Sequence, residues 1–223
     1  MGVVKLDAYV LILRGKDSLS LVNGLSTNKV ETTCTTVFTT TKAKIIDMVD
    51  VIDKGDFLAL VGHGPYKQPL IEHISQRILG QDVTIGDASS SNSVFLSTEE
   101  IDVEDNVTKC KTFRGWIIVA PLDCEIDVTM SQIEFDEYRV SNMIPMQGSE
   151  ITPKYHPLAC GLGDLVHEAK GCYIGQEIMV RMRSRGKQGK VLVRLPNPID
   201  DATTTGESHS LAIRRSQSNV IKN

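Results

Sequence analysis

The sequence has no apolar run long enough to cross a bilayer, and Met1-Gly2-Val3-Val4-Lys5-Leu6-Asp7 provides neither a charged region ahead of an apolar core nor a cleavage site. A cytoplasmic protein with no membrane partner is expected. Leu6 stands where N-myristoylation would require Ser or Thr. The five cysteines are odd in number and include no CxxC pair, so free thiols are indicated instead of a disulfide framework or a structural zinc site. There is no GxGxxG and no GxxxxGK[ST], hence no support for a dinucleotide site or a phosphate loop. No Ser/His/acid order stands out, and His63, between Gly62 and Gly64, receives no role. Excess positive charge is lacking as well: a formal net charge of -4 argues against a chain whose main task is wrapping nucleic acid.

What is present is ordinary globular composition, 41% hydrophobic and 23% charged over 223 residues, enough for a substantial core. Residues 6–14 read as a buried strand, stopped by Gly15-Lys16-Asp17. A short helix capped by Asp17 or Ser18 follows, then a Thr-rich strand in 32–41. Runs 44–52 and 56–62, joined by Asp53-Lys54-Gly55, predict a β-hairpin. Pro65 opens a helix with Leu70, Ile74 and Ile78 at helical spacing, and 83–85 is a further short strand. After a polar connector at 87–93, a second round is expected. It comprises strand 94–97, a polar segment containing Cys110, strand 116–120, and a helix over 129–142 with Met130, Ile133, Tyr138 and Val140 on one side. Residues 145–163 read as an extended loop, 191–195 as a strand, and 211–213 as one more. Strands followed by helices, with hairpins between them, predict an α+β fold with antiparallel sheets.

The densest chemistry lies in Lys170-Gly171-Cys172-Tyr173-Ile174-Gly175-Gln176-Glu177. A thiol between two glycines suits a turn with an exposed backbone, and Lys170 stands two residues away, where it would favour the thiolate. A thiolate attacks electrophiles or binds soft metals. Cys160 and His156 do not match a zinc or ferredoxin spacing with Cys172, so any metal at Cys172 needs ligands from a second protein. Arg181, Arg183, Arg185, Lys187 and Lys190 form a cationic run. It reads as a solvated face, or as an anion or RNA site, although aromatics for base stacking are nearly absent there. Asp47, an acid in the apolar run 45–49, is placed on the solvent side by strand alternation.

The 170–177 stretch resembles the KGC[YF]xGQE motif of the YgfZ-type folate-binding proteins, relatives of the glycine-cleavage T-protein. Tyr138-Arg139, Ile144-Pro145, Gly148 and Pro157 before it, and Arg181 with Arg185-Gly186 after it, are similar to the family's flanking text. So are Gly15-Lys16-Asp17 and Leu25-Ser26-Thr27-Asn28-Lys29-Val30 near the start. The resemblance covers about residues 1–195. It implies a T-protein-like folate-binding fold, with two ferredoxin-like rounds over 1–185 and a reduced C-terminal β domain over 186–223. It implies a factor that binds tetrahydrofolate and assists assembly or repair of iron-sulfur proteins. Cys172 would be nucleophile or metal ligand, sharing an iron-sulfur cluster with an A-type carrier protein, and client iron-sulfur enzymes would be further partners. Lys170 would tune the thiol; Asn28, Asp47, Tyr138 and Arg139 would line the folate pocket. Gln176 and Glu177 would hold the motif turn or cap the next helix beside the cofactor.

Departures bear on the rival readings. Ala169 replaces a frequent Asn, and Ala43-Lys44 a Gly-Arg pair; Asp47-Met48 keeps one acid of the T-protein's two, and Ser141 stands where that branch has a pterin-binding Glu. The last two losses count against a folate-dependent aminomethyl transferase, the alternative from the enzyme class. A tRNA-associated module using 181–190 is the third reading.

Overall fold

A computed structural model describes residues 2–184 and 189–216. Five antiparallel strands form a central sheet in the order β3-β4-β5-β2-β6. They are β2 (Ala8–Arg14), β3 (Cys34–Thr39), β4 (Ile45–Asp53), β5 (Phe57–His63) and β6 (Thr84–Asp87). Helix α1 (Ser18–Leu25) leads from β2 to β3, and α2 (Lys67–Ser75) from β5 to β6. The expected β4–β5 hairpin is present, with Gly55 at φ +80° in its turn.

Both faces of this sheet are covered, which is why its strands read as near-continuous apolar runs. On β2, Tyr9, Leu11 and Leu13 pack with Leu21, Val22 and Leu25 of α1 and Leu70 and Ile74 of α2. The alternate residues Val10 and Ile12 join Ile52, Ala59 and Val61 against a second sheet. That sheet has the order β1-β7-β9-β8, from β1 (Val3–Leu6), β7 (Asn92–Ser97), β8 (Thr108–Thr112) and β9 (Gly115–Pro121), and contributes Val4, Val94, Leu96, Ile117 and Val119.

Three expectations are corrected. Residues 6–14 are not one strand: β1 pairs with β7 in the second sheet, β2 with β5 in the first, and Asp7 lies at the crossing. The segment containing Cys110 is strand β8, in which Cys110 alone is buried between charged and half-buried neighbours. The second round does not repeat the first, because its sheet takes a strand from the N-terminal segment and has no crossover helix between β7 and β9.

Helix α3 (Gln132–Asn142) follows, held at its start by a capping box of Ser131 and Glu134. It buries Phe135, Arg139 and Val140, whereas Ile133, expected inside, is 83% exposed. After α4 (Gln176–Ser184), strands β10 (Lys190–Pro196), β11 (Thr204–Thr205) and β12 (His209–Arg215) form a small sheet, β10-β12-β11. Its Leu192, Leu211 and Ile213 share one cluster with Val37, Ile45 and Met48 of the β3–β4 hairpin and Val140 of α3. The C-terminal strands therefore complete the core of the main body and do not enclose a separate one. None of the described helices is long and apolar enough to cross a membrane.

Candidate functional site

The predicted site residues fall into two groups. The first surrounds Cys172, which is exposed on the loop before α4. The loop is fastened on both sides of the thiol. Before it, the Lys170 ammonium donates to the backbone carbonyls of Asn23 (2.5 Å), Ser26 (2.7 Å) and Asn28 (2.6 Å) and lies over the Tyr173 ring. After it, Thr39 Oγ1 donates to Ile174 O at 2.7 Å, and Gly175 at φ +85° sits against the backbone of Thr40. A Cβ there would lie 2.8 Å from Thr40 O, so the close approach requires glycine. Tyr173 and Met179 are buried with Ala43, Leu158 and Val166, seating α4.

This geometry changes the part assigned to Lys170. All three of its N–H donors are used by carbonyls, leaving none for the Cys172 sulfur. Lys170 pins the 23–28 segment to the motif. Burial lowers its pKa to about 8, with the nearby Cys34 sulfur acting the other way. Asn28 belongs to the same pin. Its amide donates to Thr35 O at 2.8 Å and its backbone carbonyl accepts from Lys170, so it stands with the motif. Gln176 and Glu177 form the exposed first turn of α4, where the acid suits the helix N-terminus and pairs with Arg181 at 2.8 Å. Arg183 pairs with Glu168 at 2.6 Å, so two charges of the cationic run are countered locally; Arg185 and Lys187 lie outside the described residues. Among the described residues no group of three His, Cys, Asp or Glu side chains is placed to hold a metal ion.

The second group, Asp47, Tyr138 and Arg139, lies around a cleft of about 460 Å³ between β1, α3, the 146–151 turn and β11, and of the three only Arg139 lines it. Asp7, His63, Asp136, Arg139, Gln147 and Thr204 are among its walls. Arg139 is almost fully buried and donates to Asp136 Oδ1 (2.8 Å), Glu150 Oε2 (3.0 Å) and Thr204 Oγ1 (2.9 Å). Glu150, wholly buried, also accepts from Met146 N and from the hydroxyls of Thr203 and Thr204. Arg139 thus joins α3, the turn and the C-terminal sheet. Tyr138 donates to Arg114 O at 3.3 Å, tying α3 to the β8–β9 turn.

Asp47 is the clearest departure from the alternation rule. It is wholly buried, because the sheet end it occupies is covered on both sides. Oδ2 accepts from Tyr9 OH (2.7 Å) and His63 N (3.0 Å); Oδ1 accepts from Met48 N (2.8 Å) and, at 3.5 Å, from Gln147 Nε2. Burial outweighs these donors and raises its pKa to about 7. Beside it, Arg114 pairs with Asp50 inside the protein, and Thr35 Oγ1 donates to the same carboxylate at 2.7 Å. A small cavity of about 10 Å³, lined by His63, Arg114, Met146 and Gln147 among others, adjoins the cleft and shares Leu6, Asp7, His63, Met146 and Gln147 with it. It has room for about one water.

The architecture has a solved counterpart. The structure is similar to the crystal structure of the glycine cleavage system aminomethyltransferase T from Bartonella henselae, with a TM-score of 0.77 and 12% identity, over 96% of this chain and 78% of that one. The likeness is one of fold. No family model and no curated protein matches the sequence.

His63, Arg114, Gln147 and Glu150 carry much of the cleft and escaped sequence reading. They come from three separate segments that only the tertiary fold brings together, and none forms a motif with its neighbours. The one available signal was local: Gly62 and Gly64 flank His63, and a Cβ at Gly62 would strike Tyr9 OH and Asp47 Oδ2.

Proposed function

We propose that this protein is a folate-binding factor of the YgfZ type that assists assembly or repair of iron-sulfur proteins through Cys172, and that its central sheet is a ferredoxin-like unit. The observation that carries the reading is Cys172 itself: an exposed thiol on a loop fastened by Lys170 and Ile174, with no co-ligand set among the described residues. An iron-sulfur cluster takes four protein ligands, so a single presented thiolate suits a cluster completed by a partner such as an A-type carrier.

The residues of the cleft fit a folate. Its volume lies within the usual range for small-ligand sites, and the carboxylates of Asp7 and Asp136 with the side chain of Phe135 supply acceptors and an apolar contact for a pterin. Bound there, tetrahydrofolate would supply one-carbon chemistry or act as a sensed ligand. Anaerobic reconstitution with an A-type carrier should give a cluster absorption band that is lost in Cys172→Ala, while fluorescence titration should show tetrahydrofolate binding unaffected by that change. Identical spectra for the two proteins would overturn the cluster role, and no titration would overturn the folate site.

One observation favours aminomethyl transfer as a second reading: a buried acid with pKa about 7 beside the cleft, on a fold like that of an aminomethyltransferase. Turnover in a glycine-cleavage partial reaction that survives Cys172→Ser but not Asp47→Asn would place this reading first.

A further inference from the structure

The inner wall of the cleft is closed by one side chain whose contacts have the pattern of a ligand. The Gln147 carboxamide is buried, 6% exposed, on the turn that also carries Glu150. Its Nε2 donates to Met48 O at 2.7 Å and to Asp47 Oδ1 at 3.5 Å, and its Oε1 accepts from Arg114 Nη1 at 3.5 Å. The surroundings therefore present two acceptors and one donor to this one side chain. The amide satisfies them incompletely, since two of the three contacts are at the outer limit of a hydrogen bond. Arg114 Nε, also buried, has no hydrogen-bond partner among the described residues.

A 2-amino-4-oxo pyrimidine ring carries the matching edge of amino donor, ring N–H donor and carbonyl acceptor, spaced more widely than one carboxamide. We propose that Gln147 is a tethered plug in the subsite for that edge, and that a ring bearing it displaces the Gln147 side chain on binding. The amino group would face Met48 O, the ring N–H Asp47 Oδ1, and the ring carbonyl Arg114. Displacement needs no new opening in the fold. Gln147 lines both the cleft and the small cavity adjoining it, so rotation of its side chain into the cleft joins the two more widely. The 147–151 bridge and the hydrogen bonds from Ser149 and Glu150 N–H to Met146 O involve backbone only and remain in place. This proposal rests on the folate reading, because the pterin of folate carries that edge; the guanine of a nucleotide is the other common source.

The test titrates the parent protein and Gln147→Ala with three probes: folic acid, its 2-desamino-2-methyl analogue, and GMP. Removing the plug should tighten folic acid binding about tenfold, since the ring no longer competes with a tethered amide. The analogue, lacking the amino donor, should bind Gln147→Ala more weakly than folic acid does. If GMP is tightened and folic acid is not bound, the plug stands and the folate reading falls. If folic acid binds the parent but Gln147→Ala binds it no more tightly, or if the analogue matches folic acid, the plug falls while the folate reading stands. Binding of none of the three by either protein overturns both. Should Gln147→Ala fail to give a cooperative melt, Gln147→Asn, whose amide stops a methylene short of Met48, carries the same expectations.

Discussion

Asp47 shows how far burial alone can move a residue from its sequence-level reading. Alternation placed it toward solvent, but alternation assumes a sheet with one wet face, and this strand end has none. Its pKa of about 7 in the folded protein exceeds the unfolded value of roughly 4, so between those pH values the native state holds a proton that the unfolded chain has released. The stabilisation is complete below pH ~4 and is lost as pH rises through about 7, with an upper bound on the order of 4 kcal/mol. Urea midpoints of the parent and Asp47→Asn at pH 5 and pH 8 should therefore shift in favour of the variant at the higher pH. A gap that stays constant would mean that Asp47 titrates normally. Lys170 makes the complementary point. The motif announced a reactive partner for Cys172, and the structure makes a pin of it, because three carbonyls take its three donors. Lys170→Ala should cost about 2–3 kcal/mol by leaving those carbonyls without a donor, read from the urea midpoint.

At the level of elements, periodicity was a good guide wherever packing follows one face. The β4–β5 hairpin, α1, α2 and β12 were all visible, since their apolar residues recur at the spacing of the element that buries them. It failed at β8, where a single inward residue, Cys110, gives no repeat to detect. On α3 it found the helix but misplaced Ile133, because the buried face includes Arg139, a charged residue held inside by Glu150 and Asp136. The motif turn was legible for a different reason, as Gly175 occupies a backbone conformation that few other residues adopt. Gly175→Ala should destabilise the protein by about 1–3 kcal/mol, from the positive φ and from the contact with Thr40, and should raise hydrogen exchange across α4. A variant with unchanged exchange in α4 would show that the turn does not hold the helix.

Across the whole molecule, polar contacts in the interior join the same pieces that the hydrophobic clusters pack together. The Asp50–Arg114 pair links the two large sheets, and Arg139–Glu150 links α3 to the C-terminal strands through Thr204. Such pairs are costly to break singly, because the remaining charge stays buried: Asp50→Ala should lose about 3–5 kcal/mol, whereas joint replacement of Asp50 and Arg114 by apolar residues should recover most of that. Calorimetric melts of the single and double variants decide it. None of these pairings was legible in the sequence, as the partners of both pairs are set by sheet order and turn geometry, and charge pattern along the chain says nothing of either. The crossing at Asp7 was equally hidden, because an uninterrupted β-like run carries no mark of where it changes sheets.

That crossing has a consequence for how the chain assembles. Among the described residues strand β1 pairs only with β7, some ninety positions later, while β2 completes its own sheet with β5 and β6. On a ribosome, Val3–Leu6 must wait as an uncovered edge after the central sheet has formed, in competition with the edges of neighbouring nascent chains. A fragment ending before Asn92 should therefore aggregate on expression, and one extended through Pro121 should not.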